Sequence, residues 1–249
     1  MLTEEEKERY SRQILLREIG AQGQEKLKRA KALVIGAGGL GSPAAMYLAA
    51  AGVGALGICD GDRVDRSNLQ RQILHGTGRI GKKKTASAQE TLAAVNPNVQ
   101  VVVHDCFAGP ENIARIIESY EFVLDCTDSF EAKFLINDAC VRAGKPFCHA
   151  GIFQLHGQLM TWLPGRGLPC YRCVFRDAPP PTPAADKGVL GAAVGVIGCL
   201  QAMEAIKYIT GAGRLTTGAL LTFNAIQGDF RQIALPEAAR DCPVCSVEN

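Results

Sequence analysis

Apolar runs and polar stretches alternate along the chain in an order that changes at about Gly151. Ala32–Ile35 is a short apolar run sized for a buried strand, and Ser42–Ala51, rich in Ala and Leu, reads as a helix. Leu56–Cys59 is a second strand. A helix from the lysines at 82–84 to about Val95 comes next, then a β-branched strand, Val99–His104. A helix at Glu111–Ser119, a strand at Phe122–Asp125, a helix at Phe130–Gly144 and a strand at Pro146–Ala150 continue the alternation. Upstream, Thr3 to about Ile19 reads as one helix, with Thr3 and Glu6 in a capping box, and Gln22–Ala30 as a second. Beyond Gly151, Gln158–Trp162, Ala219–Asn224 and Phe230–Leu235 read as antiparallel strands around one apolar helix, Val189–Ile209. Parallel βα units thus come first and a mixed portion second. No internal repeat is visible. Asp177–Lys187 is rich in proline and lacks apolar periodicity, so it reads as a loop.

The first strand ends in Gly36-Ala37-Gly38-Gly39-Leu40-Gly41, a Gly-x-Gly-x-x-Gly turn opening a helix. Gly36 permits the tight turn, Gly38 lets the backbone approach phosphate, and Gly41 allows close helix–strand packing. The helix N-terminus faces the anion. Asp60 or Asp62, after the second strand, can accept hydrogen bonds from ribose hydroxyls. Such a turn also serves plain packing or NAD. The residues after Asp60 shift the balance: Asp62, Asp65, Ser67, Asn68, Arg71 and Gln72 come in close succession. Polar side chains and a guanidinium beside the ribose carboxylates suit a triphosphate better than a nicotinamide.

With 249 residues, the chain has room for one full α/β core, or a core and a small lobe. Its net charge of +2 gives no reason to expect nucleic acid or an anionic membrane as partner. Val189–Ala205 is interrupted by Gln201 and Glu204 and falls short of the ~20 apolar residues that span a bilayer, so a core helix is expected. The polar start, MLTEEEKERY, does not read as a signal peptide, so cytoplasm is expected and disulfides are not. Among 10 cysteines, Cys170-Tyr-Arg-Cys173 and Cys242-Pro-Val-Cys245 form two Cys-x-x-Cys pairs, which together close a tetrahedral Zn²⁺ shell with no open position. Such an ion is structural.

The runs GAGGLGS, LAAAGVGALGICDGD, SNLQRQ and DCTD, with the earlier Arg9-Tyr-Ser-Arg12-Gln, resemble the ThiF/MoeB/HesA family. That family is similar to the adenylating half of ubiquitin-activating enzymes. The resemblance runs from Arg9 to the final Cys-x-x-Cys. It implies a doubly wound, Rossmann-like, mostly parallel α/β sheet with an appended mixed or antiparallel portion and a structural zinc. The expected division of a single adenylating domain is 1–30 for N-terminal helices, 31–150 for the nucleotide core and 151–249 for the carrier and zinc portion. The implied activity is adenylation, by ATP and Mg²⁺, of the C-terminal glycine of a ubiquitin-like sulfur carrier ending in Gly-Gly. Molybdopterin or thiamin thiazole biosynthesis would be served.

By the same resemblance, Arg71 and Lys84 hold phosphates, and Arg12 reaches into the ATP site of a partner subunit, which implies a homodimer. Asp60 and Asp62 hold ribose, Gly38, Gly39 and Gly41 admit the backbone, and Ser67, Asn68 and Gln72 complete the pocket. Asp128 can hold Mg²⁺, which takes one or two carboxylates plus substrate phosphates; it can also cap the next helix. The family usually has Asn after this Asp, where this chain has Ser129 as the candidate nucleotide contact. By themselves, Arg9, Arg12 and Arg17 read as a solvated face and Lys82–Lys84 as a charge run. Several relatives carry a cysteine in the loop before the long helix. The matching stretch, 181–187, has none, and Ala184 takes the position. Cys126 and Cys199 read as structural. Two rivals remain: an NAD-dependent oxidoreductase, resting on the glycine turn and Asp60, and a zinc-stabilised scaffold that binds the carrier without activating it.

Overall fold

The computed structural model describes residues 1–178 and 188–246. The stretch 181–187, with Ala184, and most of the proline-rich segment lie outside the described residues. Among the described residues, eight strands form one sheet in the order β3-β2-β1-β4-β5-β6-β7-β8. They are β1 (Lys31–Ile35), β2 (Ala55–Cys59), β3 (Gln100–His104), β4 (Phe122–Asp125), β5 (Phe147–Phe153), β6 (His156–Trp162), β7 (Ala219–Asn224) and β8 (Asp229–Ala234). Strands β3, β2, β1, β4 and β5 are parallel; β6, β7 and β8 pair antiparallel beyond β5. The antiparallel strands therefore continue the parallel sheet rather than forming a separate lobe.

Alternation along each strand sends side chains to two cores. Ala32, Val34, Leu56, Ile58 and Leu124 face α3 (Gly20–Arg29), α4 (Gly41–Ala50), α5 (Lys84–Val95) and α9 (Gly191–Thr210). Leu33, Ile35, Cys59 and Val123 face α6 (Ile113–Glu118) and α7 (Phe130–Arg142). Strands buried on both faces explain why β1, β2 and β4 read as continuous apolar runs. The chain order reverses between β1 and β4, which opens a crevice at the carboxyl ends of these two strands, where such sheets bind ligands.

Two sequence expectations are corrected, and one element was not foreseen. The segment from Thr3 to Ile19 is not one helix but α1 (Glu4–Arg9) and α2 (Ser11–Ile14), broken at Tyr10. Tyr10 is buried against Gly52, where a Cβ would stand 2.5 Å from its ring, and its hydroxyl accepts a hydrogen bond from Asn96 at 2.7 Å. Anchoring one side chain beneath the fold turns the helix axis. The capping box of Thr3 and Glu6 is present. The α7 cap is Ser129, whose Oγ accepts from the Ala132 N–H at 3.2 Å, and not Asp128. The short α8 (Tyr171–Val174) was not anticipated.

The helix α9 runs on to Thr210, past the apolar stretch read from the sequence, and so does have the length and composition to cross a membrane. Its polar residues are instead built into the fold. Gln201 donates to the Asp125 carbonyl at 2.8 Å and to the Cys148 carbonyl at 3.2 Å, while Glu204 accepts from the Thr161 hydroxyl at 2.6 Å and the Thr216 N–H at 2.8 Å. It is a core helix, as the interruption by Gln201 and Glu204 suggests.

Candidate nucleotide site and cysteine cluster

The glycine turn joins β1 to α4 and is held from three sides. Gly36 has φ of +97°, and a Cβ there would lie 2.8 Å from the Cys126 carbonyl oxygen. Glycine is required there on both counts. A Cβ on Gly41 would fall on the Gly36 carbonyl, so the first turn of α4 presses directly on β1. Gly38 faces open space, with the Gln72 amide nitrogen 3.6 Å from its would-be Cβ. Gly39 answers to a different need: a Cβ would collide with Val194 of α9 at 2.8 Å and crowd the Arg71 stem at 3.5 Å.

Asp60 is already engaged. One carboxylate oxygen accepts from the Ala37 N–H and the other from the Asp62 N–H, each at 2.8 Å. It fastens the turn to the end of β2, leaving a second lone pair on each oxygen for a ribose hydroxyl. Asp62 is exposed and pairs with the buried Lys84 ammonium at 2.9 Å. His75, not anticipated from sequence, bridges the Ala37 carbonyl and the Ser87 hydroxyl, both at 2.9 Å. Burial lowers its pKa, which favours the neutral ring. Arg71 is half-buried beside Gly39 and donates to the Ser67 carbonyl at 3.2 Å. Ser67 donates through Oγ and N–H to Asp65, in the 3-10 turn Arg66–Asn68, and Asn68 donates to Ser67. The Gln72 side-chain amide oxygen, Oε1, is buried without a partner among the described residues. A buried orphan acceptor next to an open glycine backbone fits a bound donor, as a nucleotide supplies.

On the other flank, β4 delivers the turn Asp125–Ser129. Register places Asp125 beside Ile35 on β1 and His149 on β5. Its buried carboxylate accepts from the Thr127 hydroxyl at 2.6 Å and the Thr127 N–H at 3.1 Å, and lies 3.0 Å from the His149 ring and 3.5 Å from the Lys133 ammonium. Burial pushes the Asp125 carboxyl up, but Lys133, His149 and Thr127 outweigh it and hold it at about 2. Burial, then the Lys133 charge, depresses His149 to about 4, so the ring is neutral at neutral pH. Asp128 is exposed, and among the described residues it forms no hydrogen bond or ion pair. A free carboxylate at the lip of this crevice fits Mg²⁺.

Arg12 is exposed on α2 and does not join this group. Its neighbour Gln13 donates to the Ala51 carbonyl, at the end of α4 opposite the glycine turn. A helix of ten residues is about 15 Å long, beyond the reach of an arginine side chain. Cys126 and Cys199 show no activated thiol: burial pushes both pKa values up.

The four predicted zinc cysteines converge. Cys170 and Cys173 lie 3.9 Å apart, Cys170 and Cys242 3.7 Å, and Cys173 and Cys245 3.3 Å, with all four sulfurs within 4.8 Å of one another. A tetrahedron with Zn–S bonds of 2.3 Å has edges of about 3.8 Å. The cluster is thus compatible with zinc. It is joined to α7 by a two-pronged Arg172–Asp138 pair at 2.6 and 2.9 Å and by the Tyr171 N–H on Asn137 at 2.8 Å.

The model of the family described as ThiF matches residues 10–244. The chain belongs to the ThiF family. Among its relatives, the adenylyltransferase and sulfurtransferase MOCS3 of Aedes aegypti is 47% identical over 241 residues, which are 96% of this chain and 55% of that protein. The protein of the same name from Xenopus laevis is 46% identical, over 96% of this chain and 53% of its own length. The chain spans about half the length of these curated relatives. Among solved structures, E. coli MccB with ATP superposes with a TM-score of 0.83 at 24% identity, covering 95% of this chain and 74% of that one. PaaA superposes with a TM-score of 0.81 at 26% identity, over 94% and 75%. The family's fold, expected from the resemblance, is the fold observed.

Proposed function

We propose that this chain is an ATP-dependent adenylyltransferase that activates the C-terminal glycine of a ubiquitin-like sulfur carrier. One observation carries the reading. Arg71, Lys84 and the orphaned Gln72 oxygen flank one side of the glycine turn, and the unpaired Asp128 stands on the other, at the crevice between β1 and β4. The MOCS3 relatives, named as adenylyltransferases and sulfurtransferases, support it and favour a sulfur-transfer route such as molybdopterin biosynthesis. Family membership removes the reason to read the turn as an NAD site.

In this reading the carrier carboxylate, ionised near neutral pH, attacks the α-phosphate of ATP. The new bond joins the carboxylate oxygen to phosphorus, and pyrophosphate leaves with the electrons of the broken α–β bridge. The protein's share is positioning and charge neutralisation. Arg71 and Lys84 contact phosphate oxygens; on binding, Lys84 exchanges Asp62 for phosphate or is shared between them. The second lone pairs of Asp60, with Asp62, take the ribose. Asn68 and Gln72 close the pocket, whereas Ser67 and Ser129 act chiefly through the turn and cap they hold. Asp128 would hold Mg²⁺, which supplies positive charge at the phosphates. Zinc, held by Cys170, Cys173, Cys242 and Cys245, ties the C-terminal segment to α7. The working unit is a homodimer in the cytoplasm, with Arg12 of each subunit in the other's site; the distance along α4 supports that exchange. One adenylating domain comprises the portions 1–30, 31–150 and 151–249, as the unbroken sheet supports. Incubation with ATP, Mg²⁺ and a Gly-Gly-ending carrier, followed by intact mass of the carrier, should show an AMP adduct. A carrier of unchanged mass would leave the scaffold reading standing.

A further inference from the structure

The turn Asp125–Ser129 is held at both ends by hydrogen bonds, and one buried ammonium ties it to β5. Lys133 Nζ donates to the Thr127 carbonyl at 2.7 Å, to the Ala150 carbonyl on β5 at 2.7 Å, and faces Asp125 at 3.5 Å. Asp125 in turn receives both the N–H and the hydroxyl of Thr127. Ser129 closes the far end by capping α7. Within this frame the only side chain that is exposed and unpaired among the described residues is Asp128. Burying an ammonium and a carboxylate costs stability that an apolar pair would not. Such an arrangement is intelligible where a backbone must be held for something else.

We propose that Lys133 is a positioning residue: it ties β4, β5 and the Thr127 carbonyl together so that Asp128 is presented to a metal–triphosphate complex. This rests on the nucleotide reading above. Lys133 touches no substrate; it acts through the backbone of Thr127. Two consequences separate it from a merely stabilising role. Its effect depends on Asp128 being present, and it depends on the metal.

The test is a double-mutant cycle read by calorimetric binding of Mg²⁺·ATP to the full chain. Thr127→Val removes only the hydroxyl held by Asp125, and Lys133→Met removes the charge. Each should weaken binding roughly five- to tenfold, the scale of one hydrogen-bond contribution. In the Asp128→Ala background the same substitutions should change affinity less than twofold. With EDTA and ATP alone, their effect should likewise vanish. Lys133→Arg, which keeps the charge, should recover part of the loss. If Lys133→Met does not fold, Thr127→Val and Lys133→Arg carry the cycle. Equal losses with and without Asp128, or with and without the metal, overturn the proposal. Carrier-dependent exchange is scored separately on the unaltered protein: its absence with metal–nucleotide binding intact sinks adenylation and leaves the positioning role standing. No binding at all sinks both.

Discussion

The glycine turn joins β1 to α4, whereas the cysteine cluster is fastened to α7 through Asn137 and Asp138, and the two differ in what they leave unused. In the cluster every sulfur faces the other three, and Arg172, Tyr171 and Ala239 lock the surrounding backbone. Around the turn, Asp60, His75 and Asp125 have their bonds satisfied by neighbouring backbone and side chains, while the buried Gln72 amide oxygen and the exposed Asp128 carboxylate have capacity to spare. A closed set of donors is what a structural ion needs. A rigid inner shell with unspent outer groups is what a transient ligand needs.

The largest effect should come from opening the closed site. Purified protein should carry one zinc per chain, and Cys242→Ser with Cys245→Ser, or chelation, should remove it and lower the melting temperature by many degrees, since structural zinc contributes directly to folding. Zinc retained by the double variant would dissolve the contrast. At the open site the converse is expected: Arg71→Ala and Asp128→Ala should leave the melting temperature nearly unchanged while cutting pyrophosphate exchange ~10²-fold or more. Near-native exchange by either variant removes that residue from the mechanism.

Shared sites give a smaller signal with a distinctive form. Arg12→Ala and Lys84→Ala should each be inactive, yet an equal mixture that exchanges subunits should regain about a quarter of the wild-type sites, since half the dimers are mixed and each has one intact site. If subunits exchange and nothing returns, Arg12 does not act across the interface.

The effect with the most gradual onset concerns acid. His149 titrates at about 4 in the folded chain against an ordinary 6.5, so the unfolded state binds the extra proton between those values. Stability should therefore fall as pH drops from 6.5 towards 4, by up to about 3 kcal/mol. Asp125, held at about 2 against 3.8, adds a further loss only below 3.8. Denaturation midpoints from pH 7 to 4 should slope in the native protein and slope less steeply in His149→Gln, the remainder coming from His75 and His104, which burial also holds below 6.5. An unchanged slope would place the acid sensitivity elsewhere.

The same contrast explains what could be read from the amino-acid order. The βα units were legible because strands buried on both faces leave continuous apolar runs, as at Ala32–Ile35 and Phe122–Asp125. The zinc cysteines and the glycine turn were legible because their chemistry is carried by local spacing. Tyr10 was not, since its break in the helix comes from Gly52 and Asn96, far away in sequence. His75, Lys133 and His149 were missed for the same reason. Each is an ordinary residue on its own element and gains its role only when register sets it against Ala37 or Asp125. The cap of α7 was assigned one residue early because Asp128 and Ser129 are both good caps, and only backbone geometry chooses.

The central claim is that the open site adenylates a carrier carboxylate, and ATP–pyrophosphate exchange tests it most directly. With Mg²⁺ and a ubiquitin-like carrier ending in Gly-Gly, label from pyrophosphate should enter ATP, and a carrier lacking its last glycine should give none. Exchange that is equal with and without the carrier, or absent with every Gly-Gly carrier although ATP binds, would contradict the account.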